Sequence, residues 1–311
     1  MKFGYLDRHG NVAISPFYGH CGVFYGGVAL VKYGGKWGAI NCDAKTEIEP
    51  TYDSLLDFSD GLSIGKIKEQ HFFIDSGGSS SLILAPISHA YPFHEQIALF
   101  RSPIGKYGYL SSGGIIRIVP AYDYAGHFSD GLAYARRGEQ GLLINAEGAP
   151  LVSVPKEWTI SEFSQGLAVA EFNDAFGYVK QDGECLTSIE YLEARPFREG
   201  LAAVCTDDGW SFLNTEGQIS IRLQCDDVDE FSEGLCAVSY ADGWHYINKS
   251  GAIICGPYDR AGRFSEGFAL VRVSDRQVYI NRSGVVTIPN EENFQLHGNF
   301  SSGLAPFAVE S

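Results

Sequence analysis

The stretch AGRFSEGFALV, residues 261–271, decides how this chain is read. DEFSEGLCAV stands at 229–238, GHFSDGLAYA at 126–135 and GNFSSGLAPF at 298–307. Anchored on the aromatic residue, copies begin at Phe24, Phe58, Phe93, Phe128, Phe163, Phe197, Phe231, Phe264 and Phe300, with spacings of 34, 35, 35, 35, 34, 34, 33 and 36 residues. A fixed period of this size is the signature of a repeat architecture. No interval is left over for a linker or a second domain, so residues 1–311 read as one repeat domain of nine units.

Two further elements keep step with the phrase. One is a strand-like segment ending near Asn or Asp: KWGAIN (36–41), KYGYLS (106–111), QGLLIN (140–145), AFGYVK (175–180), GWSFLN (209–214) and GWHYIN (243–248). The other is an aliphatic run closing on Pro and an aromatic, as in IEPTYD (48–53) and IVPAYD (118–123). Between them lie turns of the form Asn/Asp-x-x-Gly, such as NTEG (214–217) and NKSG (248–251), where the side chain caps the turn and Gly takes a positive φ. Along GLAVAEF (166–172) Leu167, Val169 and Glu171 alternate with Ala168 and Ala170, the two-residue period of a strand. Each unit of about 35 residues is therefore expected to be a three-stranded antiparallel meander. The recurrent small residues after the phrase (Ala29, Ala133, Ala168, Ala202, Ala269, Ala305) predict a crowded inner strand.

Together the KWG-x-I-N strand, the Asn/Asp-x-x-Gly turn, the I-x-P-x-Y-D segment and the F-S-[E/D]-G-L-A strand resemble the bacterial WG-repeat family over essentially the whole chain. Only Trp37-Gly38 is an intact Trp-Gly pair; Tyr107, Phe176, Trp210 or Trp244 stands in elsewhere. The third unit departs from the pattern (HFFIDSGGSS, FHEQIALF, with Gln96 in the Gly slot), and the ninth carries IPNEENFQLHG. The resemblance implies repeated β units and interaction roles, and supplies no catalytic residue. Both ends are ordinary repeat sequence: the last unit lacks the strand that KFGYLD (2–7) would provide. The expected fold is thus all-β, a closed β-propeller-like ring whose first and last half-units complete each other, with an open β-solenoid as the alternative.

Composition bounds the function. Apolar residues make up 45% of the chain and aromatics 13%, with 37 Gly, 12 Pro and a single Met, which suits many short strands. No apolar stretch reads as a signal peptide or membrane span, and seven cysteines (Cys21, Cys42, Cys185, Cys205, Cys225, Cys236, Cys255) without a C-x-x-C pair read as reduced thiols. A cytoplasmic location, with neither membrane nor nucleic acid as partner, is the expectation. Net charge is −15, of which residues 1–155 contribute −2 and 156–311 contribute −13. Such a field steers cationic partners and repels phosphates.

The candidate partner-binding residues are accordingly Asp226, Asp227, Asp229, Glu230, Glu233 and Glu266. Asp60, Asp130, Glu199, Glu233 and Glu266 occupy one slot of the phrase, where solvation of each residue's own turn is the competing role. HEQIA (94–98) is a near miss to the zinc-protease helix, with Ala98 in place of the second His, and no other His spacing recurs. No metal or cofactor is expected, and no catalytic motif is present. Trp37, Tyr107, Phe176, Trp210 and Trp244 are expected to pack, and Tyr52, Tyr122 and Tyr258 to anchor loops. The function expected is a non-enzymatic protein-binding scaffold, in one version an immunity protein neutralising a basic partner. A glycan-binding lectin-like ring and an enzyme with a dispersed site are the alternatives.

Overall fold

A computed structural model describes residues 1–290 and 294–310. The chain divides into two compact units: one holds residues 1–34, 40–45 and 192–311, the other 35–39 and 46–191. Among the described residues every regular element is a strand, and no helix is long and apolar enough to cross a membrane. The strands form nine small antiparallel sheets that follow one another along the chain, one per repeat.

The sheet carrying the Phe128 phrase shows how sequence becomes structure. Ser129 and Leu132 bracket a two-residue turn, bonded by Ser129 N to Leu132 O (2.9 Å) and Leu132 N to Ser129 O (3.2 Å). Asp130 and Gly131 inside it have φ of 52° and 80°. Two successive positive φ values define the tight turn whose twist matches a right-handed strand pair, and Asp-Gly suits it. Strand Leu132–Arg137 follows, pairs with Gln140–Asn145, and that strand pairs with Pro150–Val154. The Asn145 carboxamide oxygen accepts the amides of Glu147 and Ala149 (3.1 and 2.9 Å), and Gly148 takes φ 77°, closing the Asn-x-x-Gly turn as its residue types require.

The expected three-stranded unit gains a fourth strand. Tyr124–Ala125, just before the phrase, bonds to Arg136 and Ala135; a two-residue strand holds this place in every sheet but one, where the longer His89–His94 does, and eight of the nine sheets have four strands. Two residues are too few to carry a periodic signal, which is why the pattern does not disclose them. The sheet of the Phe163 repeat has three strands, with bridges Phe176↔Tyr191 and Val179↔Cys185 standing in for the last.

The fold class is the β-propeller, not the open solenoid. Strand Leu304–Val309 pairs with Lys2–Asp7 over six residue pairs, from Lys2↔Val309 to Asp7↔Leu304. The ends of the chain thus complete one sheet, and neither strand is left as an open edge.

All nine phrase phenylalanines are buried, none more than 4% exposed. The small residues that follow are buried as expected, Ala135, Ala170, Ala269 and Ala305 at 0%. The aromatics of the Trp-Gly position are a partial correction: Trp210 is buried, whereas Trp37, Tyr107, Phe176 and Trp244 are half-buried. The deepest aromatic position lies two residues further on. Tyr5, Tyr109, Tyr246 and Tyr279 are at most 1% exposed, and their hydroxyls donate to the carbonyls of Gly22, Gly126, Gly262 and Gly298. A buried phenol needs such an acceptor. Tyr52, Tyr122 and Tyr258 are buried loop anchors as expected.

Gly38, the Gly of the Trp-Gly pair, is there for space. A Cβ on it would lie 2.4 Å from the Ile48 carbonyl oxygen and 2.8 Å from the Pro50 nitrogen. Gly4 and Gly108 meet the same obstruction from the next strand's backbone, and Gly177 meets it from the backbone of Ser188 and Ile189. The pair is therefore one aromatic at a half-buried position followed by a close backbone approach.

Candidate functional site

The phrase joins consecutive sheets. Ser129 Oγ donates to the carbonyl of Phe163, Ser232 Oγ to Phe264 (2.8 Å), Ser265 Oγ to Phe300 (2.8 Å) and Ser301 Oγ to Phe24. The acidic slot makes a second link. The Asp60 carboxylate accepts the Gln96 amide (2.9 Å), Glu95 the Gly131 amide (3.0 Å) and Asp130 the Gly166 amide (2.7 Å). In the other compact unit Glu199 accepts from Gly234 (3.0 Å), Glu233 from Gly267 (2.9 Å), and Glu266 from Ser302 and Gly303 (2.8 and 2.9 Å).

Each acid thus satisfies the turn of the following repeat, about one period away. The acid itself sits at φ between 52° and 54° in six of the phrases, a region that costs a non-Gly residue about 1 kcal/mol or more. A charge-assisted bond to an amide contributes about 1.5–3 kcal/mol and offsets that strain. Neither solvation of its own turn nor free display describes the slot. Burial disfavours the charge on Glu266, but Arg8 and the amides of Gly303 and Ser302 outweigh it and hold the carboxyl below the usual glutamate range.

The other candidate acids are also engaged. Asp229 accepts from Arg263 (2.7 Å), and Glu230 pairs with both Arg198 (3.1 Å) and Arg263 (2.9 Å) at only 12% side-chain exposure. Asp227 lies 3.4 Å from Arg195 and caps the amide of Val228. Among the described residues Asp226 alone of the six has no such partner, and it is exposed. Counting carboxylates along the chain overlooked the arginines that folding sets beside them.

Asp226 belongs to a different structural slot, the Asp that closes the Pro-x-Tyr-Asp segment. In that slot Asp53 pairs with Lys36 and caps the amide of Lys68, and Asp123 pairs with Lys106 and caps Gly138. The lysine slot is Gly209 before Asp226 and Gly243 before Asp259, so both aspartates lack that lysine. The neighbouring hairpins add Asp207, Asp208 and Asp242, all exposed, and Gln224 donates to the Asp208 carbonyl (3.1 Å), which fixes loop and hairpin side by side. Of these Asp242 holds His245 (3.0 Å).

One further cluster was not expected. His94, His127 and Glu162 offer ligand atoms all within 4.8 Å of one another, with the His rings 4.3 Å apart. His94 ends strand His89–His94, and Glu95 and Gln96 form the turn to Ile97–Arg101, so no zinc-protease helix is present, yet this His meets a partner from the next repeat. Of the four Trp side chains Trp210 is buried and Trp37, Trp158 and Trp244 are half-buried.

The repeat motifs match the family model described as WG containing repeat at residues 3–37, 37–67, 107–139, 176–210, 210–244 and 246–276, more than half of the sequence. The chain belongs to the WG-containing repeat family. The matched segments leave out residues 68–106, 140–175 and 277–311, which include the Phe93 unit and the last repeat, the two that depart from the pattern, and also the Phe163 phrase. No curated protein matches the chain in sequence. In structure this WG-repeat chain is similar to a crystal structure of the eukaryotic initiation factor: TM-score 0.55, 10% identity, covering 79% of this chain and 78% of that one. That likeness is one of fold alone. The computationally designed Ika8 protein (TM-score 0.49, 13% identity, 83% and 94% covered) and Saccharomyces cerevisiae Sqt1 (TM-score 0.45, 11% identity, 91% and 98% covered) are further matches.

Proposed function

We propose that this WG-repeat chain is a non-enzymatic scaffold that binds a protein with a basic surface. A repeat β-propeller is a binding scaffold in general: the phrase and its bonds are spent on the fold, and the loops are what is left to vary. The observation that carries the basic partner is the loss of the lysine opposite Asp226 and Asp259, beside the hairpin acids Asp207 and Asp208. Uncompensated exposed carboxylates speed capture of a cation and give steep salt dependence. Of the acids first singled out, this keeps Asp226 on the docking face and sets Asp207, Asp208 and Asp259 with it. An immunity or inhibitor protein masking a cationic toxin is one form of this scaffold.

The test is affinity capture from the native cell extract, with the captured protein then titrated against the purified chain. The reading expects a basic partner whose affinity falls steeply with salt and at least tenfold in a variant carrying Asp207→Lys, Asp226→Lys and Asp259→Lys. Binding indifferent to both salt and charge reversal overturns it. Asp229→Lys is not an equivalent probe, because it breaks the pair with Arg263 and loosens the fold.

A further inference from the structure

In three consecutive repeats the residue after one phrase Phe and the residues before the next two Phe come together. In one compact unit these are Arg198, Glu230 and Arg263, whose side chains bond at 3.1 and 2.9 Å. In the other unit the same three slots hold His94, His127 and Glu162. The equivalence shows that the slots face one another at bonding distance. Nothing in the phrase asks for histidine in them: the slot of His94 holds Ser in six of the other phrases, donating to the next Phe carbonyl wherever that bond is seen.

We propose that His94, His127 and Glu162 form a binding site for a divalent transition-metal ion of the zinc type. Two imidazoles and a carboxylate are a ligand set for such an ion, with the fourth position open to water. Among the described residues no other three His, Cys or carboxylate groups come so close. Independently of that spacing, the His127 Nδ1 atom is buried and has no hydrogen-bond partner among the described residues, an unmet need that coordination through this nitrogen would satisfy. The Glu162 carboxylate is exposed, so it is free to rotate inward. Ligand atoms now up to 4.8 Å apart close to roughly 3.3 Å about a zinc ion, a shift within reach of side-chain rotation. The ion does by coordination what Arg198, Glu230 and Arg263 do by charge: it pins three successive phrases.

The test uses the full chain, stripped with a chelator and titrated with zinc chloride by calorimetry. One equivalent is expected to bind and to raise the melting temperature. His94→Ser restores the residue usual in that slot, so it leaves the fold intact while lowering zinc affinity at least about tenfold. Glu162→Gln, a surface change, weakens binding in the same direction. Cobalt in place of zinc is expected to give visible bands without the near-ultraviolet thiolate absorption that the exposed Cys42 and Cys185 would produce. No saturable equivalent, undiminished binding in His94→Ser, or a thiolate band overturns the proposal.

Discussion

Phe264→Ala is expected to lower the unfolding free energy by about 3–5 kcal/mol, the range for deleting a buried aromatic side chain. Phe264 is 2% exposed and its ring lies 4.8 Å from that of Tyr246, itself 1% exposed, within a cluster that includes Val271, Val278 and Ile280. The next residues form the tight turn, so the backbone cannot collapse into the vacated volume without breaking the Ser265–Phe268 bonds at 2.8 and 3.1 Å. Urea unfolding of the variant checks the value. Phe17→Ala is the control, since Phe17 is 54% exposed and its loss is expected to cost about 0.5 kcal/mol or less. Equal effects of the two would mean that the phrase phenylalanine is not a core residue.

Removal of residues 304–311 is expected to abolish cooperative unfolding. Strand Leu304–Val309 supplies Ala305, Phe307 and Ala308, all at 0% exposure, and bonds on one side to Lys2–Asp7 and on the other to Gln295–Leu296. Its loss exposes Tyr5, Leu6 and Phe300 together, each contributing about 1.5–3 kcal/mol by burial, and opens two sheet edges to aggregation. That total rivals the whole stability of an ordinary domain. A scanning-calorimetry transition of the shortened chain within a few degrees of the intact one would contradict the pairing of the two ends.

The repeat period, the buried phenylalanines, the Asn-x-x-Gly turns and the pairing of the chain ends were legible in the residues, because each is written with the same types once per unit. The short strand before the phrase was not, having no room for a pattern. The role of the acid was missed for another reason: its partner is a backbone amide, which leaves no mark in a sequence. Asp229 and Glu230 looked free because Arg198 and Arg263 lie about a period away and only folding sets them alongside. His94, His127 and Glu162 escaped notice because spacing was sought along the chain. Reading the residue after one phrase Phe against the residue before the next two would have paired them. IPNEENFQLHG stays a departure in sequence, with residues 291–293 outside the described part of the chain.

The central claim is that the phrase fastens each repeat to the next, and Glu233→Ala followed by amide hydrogen exchange tests it most directly. Glu233 accepts the amide of Gly267, and Gly234 is capped separately by Glu199. The account predicts faster exchange at Gly267, in the following repeat, with Gly234 unchanged. Faster exchange confined to the Ser232–Leu235 turn, with Gly267 as protected as before, would show that the acid serves only its own turn.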